Sequence, residues 1–498
     1  MTRSILALVC LFAAASSFAD APHPNFIIIN IDDMGYADIG PFGSKLNHTP
    51  NLDRMAAEGM KLKCHYAAPV CSPSRASLMT GCYPKRVLPI PAVLFPVAAI
   101  GLNPQEQTVA EVLKGAGYAT MCIGKWHLGD QPEFLPTRQG FDHYFGLPYS
   151  NDMGLASEGS KSNLGDPLPK SPPVAPGHLP ETGATGGNQP PLPLLRDEKV
   201  VERVNAQGQQ TLTRRYAEEA VKFIRSNKDH RFFLYLPPSA VHFPLYPGQA
   251  FRDKSKNGLY GDWVEEVDWL AGQVLDAVRD LKLEANTLVL FTSDNGGTPR
   301  AVNTPLKGFK TQTTEGGMRV PTIAWWPGKI ASGTGTDEIT SMMDVLPTFA
   351  GLAGAPLPDR KIDGLDLWPL LSSKGEAKGP HEVFYFYSGL NLQAVRSGDW
   401  KLQIAGGNPP PGPGAKKNQQ PKIEPYPRLY NLKDDIGESR NVAADHADVV
   451  AKLKDLAVKM KDDLGTEGIG PGCRPMGHVS NPQPLMTAEG VIRDGFKP

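Results

Sequence analysis

Two carboxylates stand side by side at Asp32 and Asp33, directly after the apolar run Asn25–Ile31. A third, Asp294, follows another apolar run and is itself followed by an amide, Asn295. Adjacent carboxylates repel, so such a pair is costly unless water solvates it or a cation bridges it. Taken singly, Asp32-Asp33 reads equally as a solvated turn, and Asp294-Asn295-Gly296-Gly297 as an ordinary turn signal. Taken together, three carboxylates and an amide oxygen form a hard, oxygen-only donor set that suits Ca²⁺ or Mg²⁺ rather than zinc. No Cys-x-x-Cys or His-x-x-x-His pair competes for a soft metal. Lys125, His127 and His242 each follow a further apolar run. A lone Lys or His is usually structural, and these gain weight only from where they fall.

The segment Cys71-Ser72-Pro73-Ser74-Arg75 adds a nucleophile candidate. Ser72 suits an N-cap, Pro73 the first helical position and Gly81 the residue past the helix end. Cys71 then sits at a helix N-terminus, where free N–H groups and the helix dipole attract anions. Its simplest readings are a low-pKa thiol or half of a disulfide. A cysteine hydrolase using His127 or His242 is a sharper reading, but it leaves the metal set without a role.

Positioning these groups requires a sheet. Asn25–Ile31, 118–124, Phe232–Leu236 and 287–292 read as buried strands, short apolar runs without alternation. Helical patterns at 49–59, 109–114 and 260–281 lie among them, with Gly59 as a stop. Strands separated by helices predict a mostly parallel sheet covered on both faces. In such sheets ligands bind beyond the carboxyl ends of the strands, and four of these strands end in ionisable or metal-competent side chains. Residues 155–195 and 405–421 read as Gly/Pro-rich insertions, either surface loops or a lid facing substrate. After 195, Lys199-Val-Val-Glu202 resumes a strand pattern. From about His381 closely spaced short strands (383–387, 394–396, Trp400–Gln403, 428–432) and a helix at 445–464 predict a small antiparallel subdomain.

The full chain has 498 residues and a formal net charge of −1, which argues against nucleic acid or an acidic membrane surface as partner. It carries 51 glycines and 48 prolines yet is 40% hydrophobic, the profile of a loop-rich globular protein. Arg3, an apolar run at 5–15 and Ser17-Phe18-Ala19 read as a signal peptide over 1–19, so an exported protein is expected. Val9 before Cys10 makes a poor lipid-attachment site, and no later run reaches the ~18 apolar residues of a membrane span. Five cysteines remain after such a cut, an odd number for an exported chain, which marks one as a special thiol.

With these residues in place, the chain resembles the formylglycine-dependent (type I) sulfatases, nearest the arylsulfatase A and N-acetylgalactosamine-6-sulfatase branch. Two long signatures carry the resemblance: Cys71-Ser-Pro-Ser-Arg75-Ala-Ser-Leu-Met-Thr-Gly81, and Gly117-Tyr-Ala-Thr-Met-Cys-Ile-Gly-Lys125-Trp-His127-Leu-Gly129. Gly146-Leu-Pro-Tyr-Ser150, Val241-His242-Phe-Pro244, Ser293-Asp294-Asn295-Gly296, and Lys310 five residues before Glu315-Gly-Gly317 extend it over nearly the whole chain. It is weakest in the two insertions and beyond about residue 465.

The resemblance implies an α/β, alkaline-phosphatase-like fold with a large mostly parallel sheet, spanning 20–380, and a smaller antiparallel C-terminal subdomain over 381–498. It implies that a formylglycine-generating enzyme oxidises Cys71 to Cα-formylglycine (3-oxoalanine), leaving four cysteines, enough for two disulfides. The aldehyde hydrate is the implied nucleophile: one hydroxyl attacks sulfur and the other later expels sulfate. Asp32, Asp33, Asp294, Asn295 and residue 71 are implied ligands of Ca²⁺, with Mg²⁺ as the alternative. Arg75 would fix the hydrate, Lys125 and Lys310 would clamp sulfate oxygens, and Ser150 would hydrogen-bond them. His242 would protonate the leaving alcohol and His127 would take the proton that releases sulfate. Lys307 competes with Lys310, but the spacing to Glu315-Gly-Gly317 favours Lys310.

The expected activity is sulfate-ester hydrolysis. Polar residues at Tyr149-Ser150-Asn151-Asp152, expected at the pocket entrance, favour a sulfated carbohydrate as substrate. Two rivals are a formylglycine-dependent phosphodiesterase or phosphonate hydrolase, and a sulfated-glycan binding protein whose Cys71 stays unmodified. One Asn-x-Thr sequon, Asn47-His48-Thr49, is sparse for a lysosomal glycoprotein, so a periplasmic or secreted location is expected.

Overall fold

The structure, a computed structural model, describes residues 23–173, 179–374, 376–406 and 425–498. The leader at 1–19 and all but the first two residues of the 405–421 insertion lie outside the described residues.

Nine strands build most of the large sheet: β1 (Asn25–Ile31), β2 (Met60–Tyr66), β3 (Ala119–Ile123), β4 (His143–Gly146), β5 (Leu192–Arg196), β6 (Lys199–Val204), β7 (Phe232–Leu236), β8 (Thr287–Ser293) and β9 (Arg319–Trp325). Their spatial order is β2-β9-β8-β1-β7-β3-β4-β5-β6. The central run β8-β1-β7-β3-β4 is parallel, as the strand–helix alternation predicts. Both flanks turn antiparallel, at β9 and β2 on one side and at the β5–β6 hairpin on the other. An antiparallel neighbour needs no crossover helix, and β5 and β6 are joined by a tight turn.

β1 is buried at every residue, so its side chains feed two cores. Ile27, Ile29 and Ile31 pack with α1 (Pro50–Glu58), α4 (Ala206–Ser226) and α5 (Gly258–Asp280) through Leu52, Leu212, Tyr216, Val267 and Leu270. Phe26 and Ile28 face the other way, into the layer of α2 (Cys71–Thr80), α3 (Val109–Gly115) and α6 (Val345–Ala353). There Phe26 stacks on Phe349 with ring centroids 4.2 Å apart. Strict alternation along an unbroken apolar run is the mark of a strand covered on both faces. Gly59 does end α1, but in extended backbone rather than a left-handed cap. A Cβ there would meet Ala324 O at 2.3 Å, so the glycine is required by close approach to β9.

Four antiparallel strands, β10 (Val383–Ser388), β11 (Asn391–Ser397), β12 (Trp400–Gln403) and β13 (Arg428–Asn431), form a separate sheet in that order. α7 (Ala447–Lys459) packs on it, and Phe384, Phe386, Leu402, Leu429 and Leu453 share a core with Tyr66 and Tyr83 of the large unit. The helix expected at 445–464 gives way to a 3₁₀ turn at Met460–Asp462.

Two expectations need correction. The 155–195 stretch is not wholly irregular: it contains short 3₁₀ turns and runs into β5, and the Ala184 N–H donates to Pro96 O at 2.7 Å. The four cysteines expected to pair are free thiols on separate elements. Arg396 Nη1 donates to Cys64 Sγ at 2.9 Å, Arg474 Nη2 to Cys82 Sγ at 3.2 Å, and Cys122 is sealed inside β3. Asn47 of the sequon is buried, and its amide donates to Asp38 O at 2.8 Å. No helix among the described residues is long and apolar enough to cross a membrane.

Candidate active site

The sheet register builds the site. Ile31 of β1 lies opposite Ser293 of β8, so the two strands end level and Asp32-Asp33 emerge beside Asp294-Asn295. The Asp33 N–H donates to Asp294 Oδ1 at 3.2 Å, and Asn295 Nδ2 donates to Asp33 Oδ1 at 2.7 Å. Asp33 holds φ 64°, as does His127. A left-handed backbone at a non-glycine residue costs about 1–3 kcal/mol and tends to persist at functional sites.

α2 brings Cys71 and Arg75 to the same place, though not with the expected cap. Val70 is the N-cap and offers no side-chain bond, so the helix begins two residues earlier than Ser72 predicts. Ser72 Oγ instead accepts the Leu94 N–H at 3.2 Å, and Ser74 Oγ accepts the Ala68 N–H at 3.0 Å. The far end is as expected, with Gly81 left-handed at φ 67°. Cys71 Sγ lies 3.5 Å from Asp32 Oδ1, and Arg75, one turn on, grips Asp294 Oδ2 through Nε at 3.0 Å and Nη2 at 2.9 Å. Arg75 Nη1 also donates to Lys125 O.

Lys125 Nζ lies 2.6 Å from Asp32 Oδ2, while Lys310 Nζ sits 2.7 Å from Asp33 Oδ1 and 3.2 Å from Cys71 Sγ. Lys307 points elsewhere, donating to Glu438 O at 2.8 Å, which leaves Lys310 as the lysine of this cluster. His242 Nε2 faces Asp33 Oδ2 at 3.6 Å, and Ser150 Oγ lies 3.4 Å from His242 Nδ1. Tyr149 and Asn151 do not line an entrance: both are buried, the tyrosine bonded to Pro191 O at 3.0 Å and the amide to Pro244 O at 3.2 Å. Sequence reasoning missed Leu94, whose carbonyl receives His127 Nε2 at 2.9 Å. A backbone carbonyl has no sequence signature. With Nε2 as the donor, neutral His127 presents Nδ1 as a bare lone pair, and that atom is buried without a partner.

Three buried carboxylates thus face three cations. Burial alone would raise Asp32, but Lys125, His242, Arg75 and Lys310 together hold it well below the carboxylate range. Burial and the neighbouring Asp32 push Asp294 up. Burial would lower Lys125 and Lys310, yet Asp32 beside the first and Asp33 beside the second raise both, so both stay charged. Burial, then Asp294, pushes the Cys71 thiol well above its usual range. A thiolate is therefore disfavoured here, and the low-pKa thiol and cysteine-hydrolase readings lose their nucleophile. The half-disulfide reading fails as well, since Cys71 is free.

A family model described as Sulfatase matches residues 24–355, and a second, the C-terminal region of aryl-sulfatase, matches 379–469. The chain belongs to the sulfatase family. This sulfatase is 38% identical to arylsulfatase A of Homo sapiens over 90% of this chain and 89% of that protein. It is 35% identical to N-acetylgalactosamine-6-sulfatase of Sus scrofa, over 95% of this chain and 92% of that one. Among solved structures it is similar to Ps i-CgsB in complex with k-i-k-neocarrahexaose, with a TM-score of 0.68 and 30% identity over 88% of this chain and 92% of that one. Its mixed sheet, helices on both faces and small second sheet are the alkaline-phosphatase-like architecture.

The sulfatase's acidic cluster fits a hard divalent cation on its own chemistry. Asp32, Asp33, Cys71 and His242 each offer a ligand atom within 4.8 Å of one another. Asn295 Oδ1 is buried with no hydrogen-bond partner, a cost that a cation would remove. The oxygens of Asp32, Asp33, Asp294 and Asn295 are hard donors, which suit Ca²⁺ or Mg²⁺ better than softer ions.

Proposed function

We propose that this sulfatase hydrolyses the sulfate ester of a sulfated carbohydrate, releasing inorganic sulfate, with residue 71 converted to Cα-formylglycine. One observation carries the reading: the residue-71 side chain is buried in contact with Asp32 and Lys310, where cations converge and a thiolate is disfavoured. As a hydrated aldehyde, residue 71 supplies one hydroxyl to attack sulfur and a second to expel sulfate by C–O cleavage. Asp32, Asp33, Asp294 and Asn295 would hold a divalent cation such as Ca²⁺, which would supply positive charge beside that hydroxyl and lower its pKa.

The chain's own side chains do the rest. Arg75 fixes residue 71 from one helical turn away and holds the Asp294 carboxylate in place at the strand end. Lys125 and Lys310 exchange their carboxylate contacts for sulfate oxygens and stabilise the charge that builds there; losing one such donor typically costs about 10²–10³ in rate. His242, with Nε2 turned to the cluster and Nδ1 near Ser150, protonates the departing alcohol oxygen as the S–O bond breaks. His127, donating through Nε2 to Leu94, accepts at Nδ1 the hydroxyl proton whose loss drives sulfate out and restores the aldehyde. The signal-peptide pattern supports maturation during export, by a formylglycine-generating enzyme, to the periplasm or the medium.

The test is the mass of the tryptic peptide spanning residue 71, from protein made with a formylglycine-generating system and alkylated before digestion. That peptide, Cys64 to Arg75, also holds the free thiol of Cys64, so a lighter peptide that takes up one alkyl group instead of two is expected, together with sulfate release from sulfated sugars that Cys71→Ala abolishes. A peptide alkylated at both Cys64 and Cys71 under these conditions would sink the reading.

A further inference from the structure

The segment 307–317 carries Lys310 and is folded tightly against the strand ends. The Lys310 N–H donates to Gly297 O at 3.0 Å, the Thr311 N–H to Pro69 O at 2.8 Å, and the Gly296 N–H to Gly317 O at 3.0 Å. One short loop therefore touches the residues just after Asn295 and just before Cys71. Gly296 has no room for a side chain, since a Cβ would lie 2.0 Å from Gly316 O.

The back of this loop is held by the other sheet. Glu438, after β13, accepts the Glu315 N–H through Oε2 at 2.7 Å, and its carbonyl accepts Lys307 Nζ at 2.8 Å. Both ends of the loop are thus tied to one residue, with Lys310 between the ties. Lys401 of β12 is wholly buried and sits between Glu315 Oε1 and Glu438 Oε1, 2.9 Å from each. Arg396, its cross-strand neighbour on β11, donates to Tyr66 OH, which donates in turn to Glu315 Oε2 at 2.7 Å. A third tie runs from Thr313 Oγ1 to Gln393 Oε1 at 2.8 Å. Without Lys401, Glu315 keeps Arg319 and Arg396 nearby but Glu438 loses the cation beside it, and a buried carboxylate left next to another must take up a proton or move.

We infer that Lys401 is a positioning residue for Lys310, acting through the Glu315–Glu438 anchor, so that the small sheet sets the register of a sulfate-clamping lysine it does not touch. This rests on the role proposed for Lys310 above. A lysine on a long flexible stem is a useful clamp only if its backbone is fixed, because freedom there is lost on binding. The chemistry itself stays with Lys310; Lys401 supplies only its place.

A double-mutant cycle tests this with the matured full-length enzyme, reading kcat, KM and inhibition by inorganic sulfate, with the folded fraction checked by circular dichroism. Lys401→Met is expected to lower kcat/KM about tenfold or more and to weaken sulfate inhibition, yet to change either less than about twofold when Lys310 is already alanine. Gln393→Ala, a milder change at the third tie, is expected to give a smaller loss that also disappears in the Lys310→Ala background, and it serves if Lys401→Met does not fold. An equal factor in both backgrounds, from a folded protein, overturns the inference while leaving Lys310 in its role. If Lys310→Ala alone leaves turnover and sulfate inhibition unchanged, the reading of Lys310 fails first and the inference falls with it.

Discussion

Arg75 is the side chain whose geometry is hardest to replace. It makes a two-nitrogen grip on Asp294 and a third bond to Lys125 O, all in full burial. Lysine carries the same charge but not the planar fork. Arg75→Lys is therefore expected to fold yet lose about 10²-fold in kcat, the scale of one misplaced stabilising group, measured as sulfate release under saturating substrate. Retention of most of the activity would show that charge alone suffices there. Removal of the cation by a chelator is expected to abolish turnover, with Ca²⁺ restoring it and Zn²⁺ failing to. These groups are readable in the chain because the proposed metal-ligand chemistry demands particular side chains. The Leu94 carbonyl and the Val70 cap were not readable, since backbone groups belong to every residue type.

Among the elements, the level ends of β1 and β8 matter most. A strand run names its own residues but not its neighbour's register, so the sequence placed each carboxylate at a strand end without saying that the ends align. Parallel central strands followed from the helices between them; antiparallel flanks did not, because β5 and β9 pair through contacts no local pattern encodes. Gly296→Ala probes this junction. Its Cβ would meet Gly316 O and displace Asn295, and the expected result is weaker Ca²⁺ activation, read from a metal titration after chelation, with little change in far-ultraviolet circular dichroism. A second junction joins His381, just before β10, to Asp344, the residue that precedes α6, at 2.7 Å. Burial would lower the imidazole pKa, but Asp344 raises it above the ordinary value. A raised folded pKa stabilises below the unfolded value of about 6.5 and loses that contribution as pH climbs through the folded value. The Tm difference between wild type and His381→Gln is therefore expected to be largest near pH 6 and to shrink toward pH 9. A difference independent of pH would assign the contact to packing alone.

For the molecule entire, stability rests on two hydrophobic layers either side of β1 and on the seam that joins the sheets. Phe349→Ala, which unstacks Phe26 and opens a void in a fully buried layer, is expected to cost about 3–5 kcal/mol in denaturant unfolding. The seam is different in kind, being ionic around Lys401 as well as apolar around Phe384 and Tyr66. The buried Asn47 side chain bears on how the protein can be made. Its Asn-x-Thr sequence is one that glycan-attaching enzymes recognise on an unfolded chain, before the amide has found Asp38. A sugar chain added there could not be buried, so fungal or animal secretion is expected to yield either unglycosylated active enzyme or glycosylated material that is retained and degraded. Bacterial hosts without that machinery avoid the choice, and Asn47→Asp would trade the sequon for the loss of one buried hydrogen bond.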